Sequence, residues 1–303
     1  MAKRAGWAVP KEIVPDLRRG EGAAALQTTR TRSATELVSL RGIPYETALG
    51  QTVDMRGAVA DDVASFVREL AHRLATAGPG MLVGVYVHGS AVLGDFQSGA
   101  SDVDILVVVQ DRIPESSIQA MARILAEVVV WPGTGVEASV VEESAARMPS
   151  PPWPYQVHIN TSTAERKTLW CKPGSGDSDL ILYYALTRQA GWAAYGPPPT
   201  EVVGEVGRLL VAAQLAAELR WAINYASESY AVLNTCRALR WSTEVMLCSK
   251  TAGGTWALSR GVVPALVRQA LPDRRTHRKR AVGPQASAFA RQVAAMLEAG
   301  QAS

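Results

Sequence analysis

The spacing of apolar residues changes along the chain. Over residues 59–77 they recur at three- and four-residue steps (Val63, Phe66, Val67, Leu70, Leu74), which predicts a helix with one face turned to a core. Asp61 and Asp62 stand where the first turn would be, and negative charge suits that end of the helix dipole. Gly78-Pro79-Gly80 then ends the pattern. Short valine-rich runs follow at residues 81–87, 103–109 and 136–141, each with the length and branching of a buried strand. Residues 114–128 read as a helix between the second and third runs. Strands alternating with helices predict a small α/β domain with a mixed sheet.

The pattern shifts in the second half. Residues 149–154 hold four prolines and read as a linker, and residues 155–159 as one more edge strand. Alanine-rich stretches with Leu and Val at helical spacing then predict helices over 179–192, 202–225, 230–248, 253–271 and 286–297. Gly196-Pro197-Pro198-Pro199 parts the first two. The expected division is an α/β (α+β) domain over residues 54–149 followed by an α-helical bundle domain over 150–300. Residues 1–53 mix Gly, Ala, Arg and Thr with weak periodicity and read as a flexible extension.

Composition narrows the function. The chain has 303 residues, 48% of them apolar and 19% charged, which suits a globular protein with a real core. Its net charge of +3 gives no argument for a nucleic-acid partner. Cys171, Cys236 and Cys248 lie far apart, which excludes a disulfide framework or a zinc knuckle and fits a reducing, cytoplasmic setting. His72, His88, His158 and His277 form no HExxH pair. No apolar run reaches the roughly 18 residues of a membrane span, and no signal-like stretch follows Lys3 and Arg4.

The informative segment is Gly89-Ser90, then Gly94, then Ser101-Asp102-Val103-Asp104. Gly89 and Ser90 follow a strand and are expected to open a helix, where a glycine lets a phosphate approach free backbone N–H groups. Asp102 and Asp104, two apart on a strand, point to one face. Two carboxylates on one edge offer a hard oxygen site to Mg²⁺, completed by water and ATP phosphates. Glu137, on the next expected strand, adds a third acid, either as metal ligand or as the base that takes a hydroxyl proton.

These residues carry a resemblance. GSAVLGDFQSGASDVDILVVV is similar to the signature of the DNA-polymerase-β-like nucleotidyltransferase superfamily. VEASVV, PYQVHI, SDLILYYALTRQAGWAAYGP, AVLNTCRAL and SKTAGGTWALSR extend the likeness to about Leu271. They narrow it to the bacterial adenylyltransferases that modify streptomycin and spectinomycin. The resemblance implies Asp102 and Asp104 as magnesium ligands, Glu137 as catalytic base, and Gly89 and Ser90 at the ATP phosphates. It also implies that Arg237 and Lys250 reach the triphosphate from the helical domain. The implied acceptor is a small, cationic, polyhydroxylated antibiotic, the implied role is resistance, and a monomer is expected. In dual-substrate members a Trp and an Asp before the AVLN-like helix contact streptomycin; here residues 218–229 offer no such pair, which favours spectinomycin.

Other residues have plainer readings. The run from Arg274 to Arg280 could touch nucleic acid but reads better as a solvated loop. Trp221 and Trp241 are expected in the core or at an interface, while Trp153 is a candidate to stack on a substrate ring. His88 reads as a packed neighbour of the phosphate turn. Asp177 and Asp179 could cap a helix or attract a cationic substrate. Two rival functions stand beside the main one: adenylyl transfer to RNA or protein, and a nucleotide-binding regulator without turnover.

Overall fold

The computed structural model describes residues 59–128, 133–162 and 166–300. The expected extension over 1–53 lies outside the described residues. The first helix, α1 (Asp61–Ala77), buries Val63, Val67, Leu70 and Leu74, the stripe read from the sequence. It is followed by β1 (Leu82–Val87), β2 (Val103–Val109), α2 (Glu115–Ala126), β3 (Val136–Glu142) and the short α3 (Glu143–Arg147). Next come β4 (Val157–Asn160), β5 (Lys167–Trp170), α4 (Leu180–Ala190) and β6 (Trp192–Tyr195). The rest is helical: α5 (Pro199–Val202), α6 (Arg208–Tyr225), α7 (Glu228–Glu244), α8 (Lys250–Ser259), α9 (Pro264–Arg275) and α10 (Pro284–Ala299).

The sheet is mixed, in the order β5-β4-β3-β2-β1-β6. β2 and β3 run parallel, and the other neighbours run antiparallel. Both faces are covered, which is why β1, β2 and β3 read as nearly unbroken apolar runs. Val103, Ile105, Val107 and Val109 of β2 face α1 and α2 in one core. Leu106 and Val108 turn the other way, with Tyr86 and Val141, into a second core shared with α4, α6, α7 and α10. Asp104 has the parity of this second face.

Several elements depart from expectation. β5 and β6 are strands that the pattern did not mark, and with the expected β4 they add residues beyond 150 to the sheet. The helix expected over 179–192 ends at Ala190, and residues 192–195 pair with β1, Trp192 facing Val87 and Tyr195 facing Val85. The helix expected over 202–225 starts only at Arg208, after the short α5 and a turn in which Gly204 meets the end of α3. A Cβ on Gly204 would lie 2.1 Å from the Arg147 carbonyl oxygen. The one expected over 253–271 is α8 and α9. Gly261 has φ +68° and Pro264, without an N–H, opens α9. α7 stops at Glu244, short of the expected Cys248, because Val245 adopts the left-handed conformation.

Candidate active site

The parallel pairing of β2 with β3 sets Asp104 directly beside Glu137. Asp102 lies one residue ahead of β2 rather than within it. One carboxylate oxygen from each of Asp102, Asp104 and Glu137 falls within 4.8 Å of the others. Burial and neighbouring charge raise two of these carboxyls. The Asp104 carboxyl is pushed well above the usual range by burial first, then by Asp102 and Glu137. Glu137 is also raised, mainly by burial, and its bond from Tyr183 pulls the other way.

The turn after β1 wraps this cluster. Gly89 has φ +67°, and a Cβ there would lie 1.7 Å from Asp104 Oδ2, so glycine is required by both strain and space. Gly89 and Ser90 do not open a long helix: they begin a three-residue 3₁₀ turn, Gly89–Ala91. The Ser90 backbone N–H donates to the Asp104 carboxylate, and the Ser90 hydroxyl is buried without a partner. His88 is buried, with its pKa lowered to about 3, so its ring is neutral. It lies 4.8 Å from the Tyr183 ring, the packed neighbour the sequence suggested.

Glu137 is held by residues that sequence reasoning missed. The Tyr183 hydroxyl donates to Glu137 Oε1 at 2.6 Å, and His158 Nε2 stands 3.8 Å from the same oxygen. His158 Nδ1 is 3.0 Å from Ser139 Oγ. Burial lowers the His158 pKa, with Lys167 adding to it. His158 was within reach of sequence reasoning, since strict alternation along β4 puts it on the face of Glu137 and Asn160. Tyr183 was not, because nothing in the spacing of α4 marks it.

The helical side brings cations. Lys250, the first residue of α8, lies over the Tyr230 ring at 4.6 Å. Its pKa is lowered to about 8, first by burial and then by Arg237, with Glu218 and Asp104 opposing. Arg237 donates through Nε to the Cys248 carbonyl at 2.7 Å and through Nη1 to Asn234 Oδ1 at 2.6 Å. Acids lie near too. Asp179 accepts from Gln214 Nε2 at 2.7 Å, and its pKa is raised to about 6 by burial, then Asp177 and Glu218. Asp179 makes no cap bond with its side chain, whereas Asp177 Oδ1 accepts from the Asp179 N–H at 2.9 Å. Glu218 accepts from the Tyr230 hydroxyl at 3.0 Å.

Three aromatic and basic expectations are revised or settled here. Trp221 is 47% exposed and meets the Tyr230 ring edge-on, so it is no core residue. Trp241 is buried. Trp153 is buried in the core shared by sheet and bundle, leaving no face for a substrate ring. Within the basic run, Arg274 pairs with Asp95 and Arg280 with Asp273, so both are committed to the fold.

A mixed sheet carrying these acids beside a glycine turn defines a nucleotidyltransferase, and the nucleotidyltransferase domain model matches residues 67–159. The model of the aminoglycoside adenylyltransferase C-terminal domain matches residues 211–298. With both domains in this order, the chain belongs to the aminoglycoside adenylyltransferase family of enzymes. Among solved structures it is similar to the spectinomycin adenyltransferase AAD(9) from Enterococcus faecialis, determined with ATP and spectinomycin. Sequence identity is 17% and the TM-score 0.55, over 77% of this chain and 98% of that one. No curated protein matches the chain. No helix among the described residues is long and apolar enough to cross a membrane.

Proposed function

We propose that the protein transfers AMP from ATP, with Mg²⁺, to a hydroxyl of an aminoglycoside or aminocyclitol, and that it favours spectinomycin over streptomycin and gives resistance. The observation that carries this reading is the meeting of Asp102, Asp104 and Glu137 on the sheet face turned to the helical side. Three hard oxygens, one of them in a carboxyl pushed toward protonation by burial and then by its neighbours, suit a divalent magnesium ion. Asp102 and Asp104 would hold it. Bound there, the ion would supply charge neutralisation for the reacting phosphate.

The chain's own residues account for the rest. Gly89 leaves the turn open to a phosphate, and Ser90 keeps an unpartnered hydroxyl beside it. Lys250 and Arg237 bind the triphosphate from the helical side, at the junction of sheet and bundle. Tyr183 holds one oxygen of Glu137, which leaves the other to take the acceptor's proton. Asp177, Asp179 and Glu218 attract the acceptor's ammonium groups. Ser227, where a substrate acid would precede α7, caps that helix instead and accepts from the Tyr230 N–H at 3.3 Å. Residues 218–229 hold Trp221 but no aspartate, so the Trp and Asp pair that the resemblance associates with streptomycin is incomplete.

The test is incubation of purified protein with ATP, Mg²⁺ and each antibiotic, read by mass spectrometry. An added AMP on spectinomycin, formed faster than on streptomycin, is the expected result. Faster transfer to streptomycin overturns the preference, and no AMP on any of a panel of aminoglycosides overturns the reading.

A further inference from the structure

One buried acid is not used by the reaction as described. Asp95 follows the phosphate turn by a few residues and is 8% exposed. Its backbone N–H donates to the Ser90 carbonyl at 3.1 Å, so it is tied to the turn itself. Its carboxylate reaches the far end of the chain. Oδ1 accepts from the Thr251 hydroxyl at 2.7 Å and Oδ2 from the Thr251 N–H at 3.2 Å. Oδ2 also accepts from Arg274 Nη2 at 2.9 Å. The three donors lie 156 and 179 residues away in sequence. Thr251 follows Lys250 in the first turn of α8.

We propose that Asp95 is a positioning residue for the nucleotide, a strut that fixes the distance between the phosphate turn and the Lys250 end of α8 before ATP arrives. This rests on the reading of Lys250 as a triphosphate contact. The physical case is that a buried carboxylate persists only when its lone pairs are filled, and here they are filled by two separate elements of the helical side. Two bonds to one residue, from its hydroxyl and its N–H, restrain α8 in direction as well as distance. Lys250 is then held over the Tyr230 ring and near Asp104 with no ordering left for the nucleotide to bring about. Arg274 pairs with the same carboxylate and balances its charge. Its Nη2 donates to the Asp95 main-chain carbonyl as well, at 3.4 Å, so the guanidinium grips Asp95 by both backbone and side chain.

The experiment measures ATP·Mg²⁺ affinity by calorimetry and AMP transfer to spectinomycin by the full chain carrying Asp95→Ala, Asp95→Asn or Lys250→Ala. Asp95→Ala is expected to weaken ATP binding about tenfold or more, with kcat at saturating ATP within about threefold of wild type, since preorganisation is lost and chemistry is not. Asp95→Asn keeps an oxygen for the Thr251 hydroxyl and should recover part of that affinity. A contact that only supports the fold would lower the melting temperature without this split between KM for ATP and kcat. If Lys250→Ala weakens ATP tenfold while Asp95→Ala leaves it unchanged, the strut is overturned and the nucleotide site stands. If Lys250→Ala changes nothing, the nucleotide reading fails and takes the strut with it. Should the Asp95 variants not fold, Thr251→Val removes one donor at constant shape. A weakening of ATP by about threefold then supports the strut, and unchanged affinity overturns it.

Discussion

At the scale of single residues, the site is a conflict between charge and burial. Asp102, Asp104 and Glu137 each bring one carboxylate oxygen within 4.8 Å of the others, a crowding that a bound cation would relieve. Asp104→Asn and Asp102→Asn should each abolish AMP transfer while circular dichroism and thermal melting show an intact fold; near-normal turnover in either would remove the metal reading. Glu137 differs from the two aspartates because the Tyr183 hydroxyl and the neutral His158 ring flank it. Glu137→Gln keeps the shape and can still accept from Tyr183, yet it cannot take a proton. Its kcat should fall by about 10²–10⁴-fold, with ATP affinity little changed. Loss of ATP–Mg²⁺ binding with normal turnover at high magnesium would instead make Glu137 a ligand.

At the scale of elements, legibility followed the strength of the local signal. The acids and their turn were legible because GS, G and DVD sit between two valine runs, and a strand buried on both faces can be built from little else. β5 was not, since all four of its residues are exposed at the sheet edge and no alternation of burial was imposed on them. β6 was hidden by its length and composition: Trp192-Ala193-Ala194-Tyr195 is four residues long with two alanines, and pairing with β1 makes it a strand. The breaks after α5 and α8 were written as Gly204 and as Gly261 with Pro264, but helical spacing on both sides masked them. Tyr183, Asp95 and Arg274 act across long sequence separations, which no periodicity records. The crossing of α7 and α8 shows the same dependence. A Cβ on Gly253 would lie 2.9 Å from the backbone N and the Cγ of Arg237, so glycine lets α8 reach the Arg237 backbone. Gly253→Ala gains about 1 kcal/mol of helix propensity. It should lose about 1–3 kcal/mol to overpacking. The expected result is a lower melting temperature together with weaker ATP binding, because Arg237 and Lys250 both move. A variant more stable than wild type with unchanged ATP affinity would show that the crossing has slack.

At the scale of the whole molecule, the acids couple folding to pH and, under the proposed function, to magnesium. Raised carboxyl pKa values mean that the folded state holds more protons than the unfolded chain between the ordinary carboxyl range and the raised values. Stability from these groups therefore falls as pH rises through that window. Asp104, Glu137 and Asp179 all contribute in this sense, Asp179 with its pKa at about 6. His88 and His158 act oppositely. Their lowered pKa values keep them neutral when folded, so their burial costs stability as pH falls below the ordinary histidine range. A melting curve of the wild type alone mixes the two. The difference between wild type and Asp104→Asn isolates the acid cluster, because both histidines are present in each protein. In EDTA the asparagine variant should melt above the wild type at pH 7.5, and the gap should close as pH falls and Asp104 takes up its proton. Magnesium should then stabilise only the protein that keeps its ligands, by about 2.7 kcal/mol at a hundredfold excess over Kd. That stabilisation should shrink in acid, where protons compete with the ion for the same oxygens. A wild type that melts above the variant in EDTA at every pH would mean that Asp104 is already paid for by a cation of the chain itself, with Lys250 the residue to test.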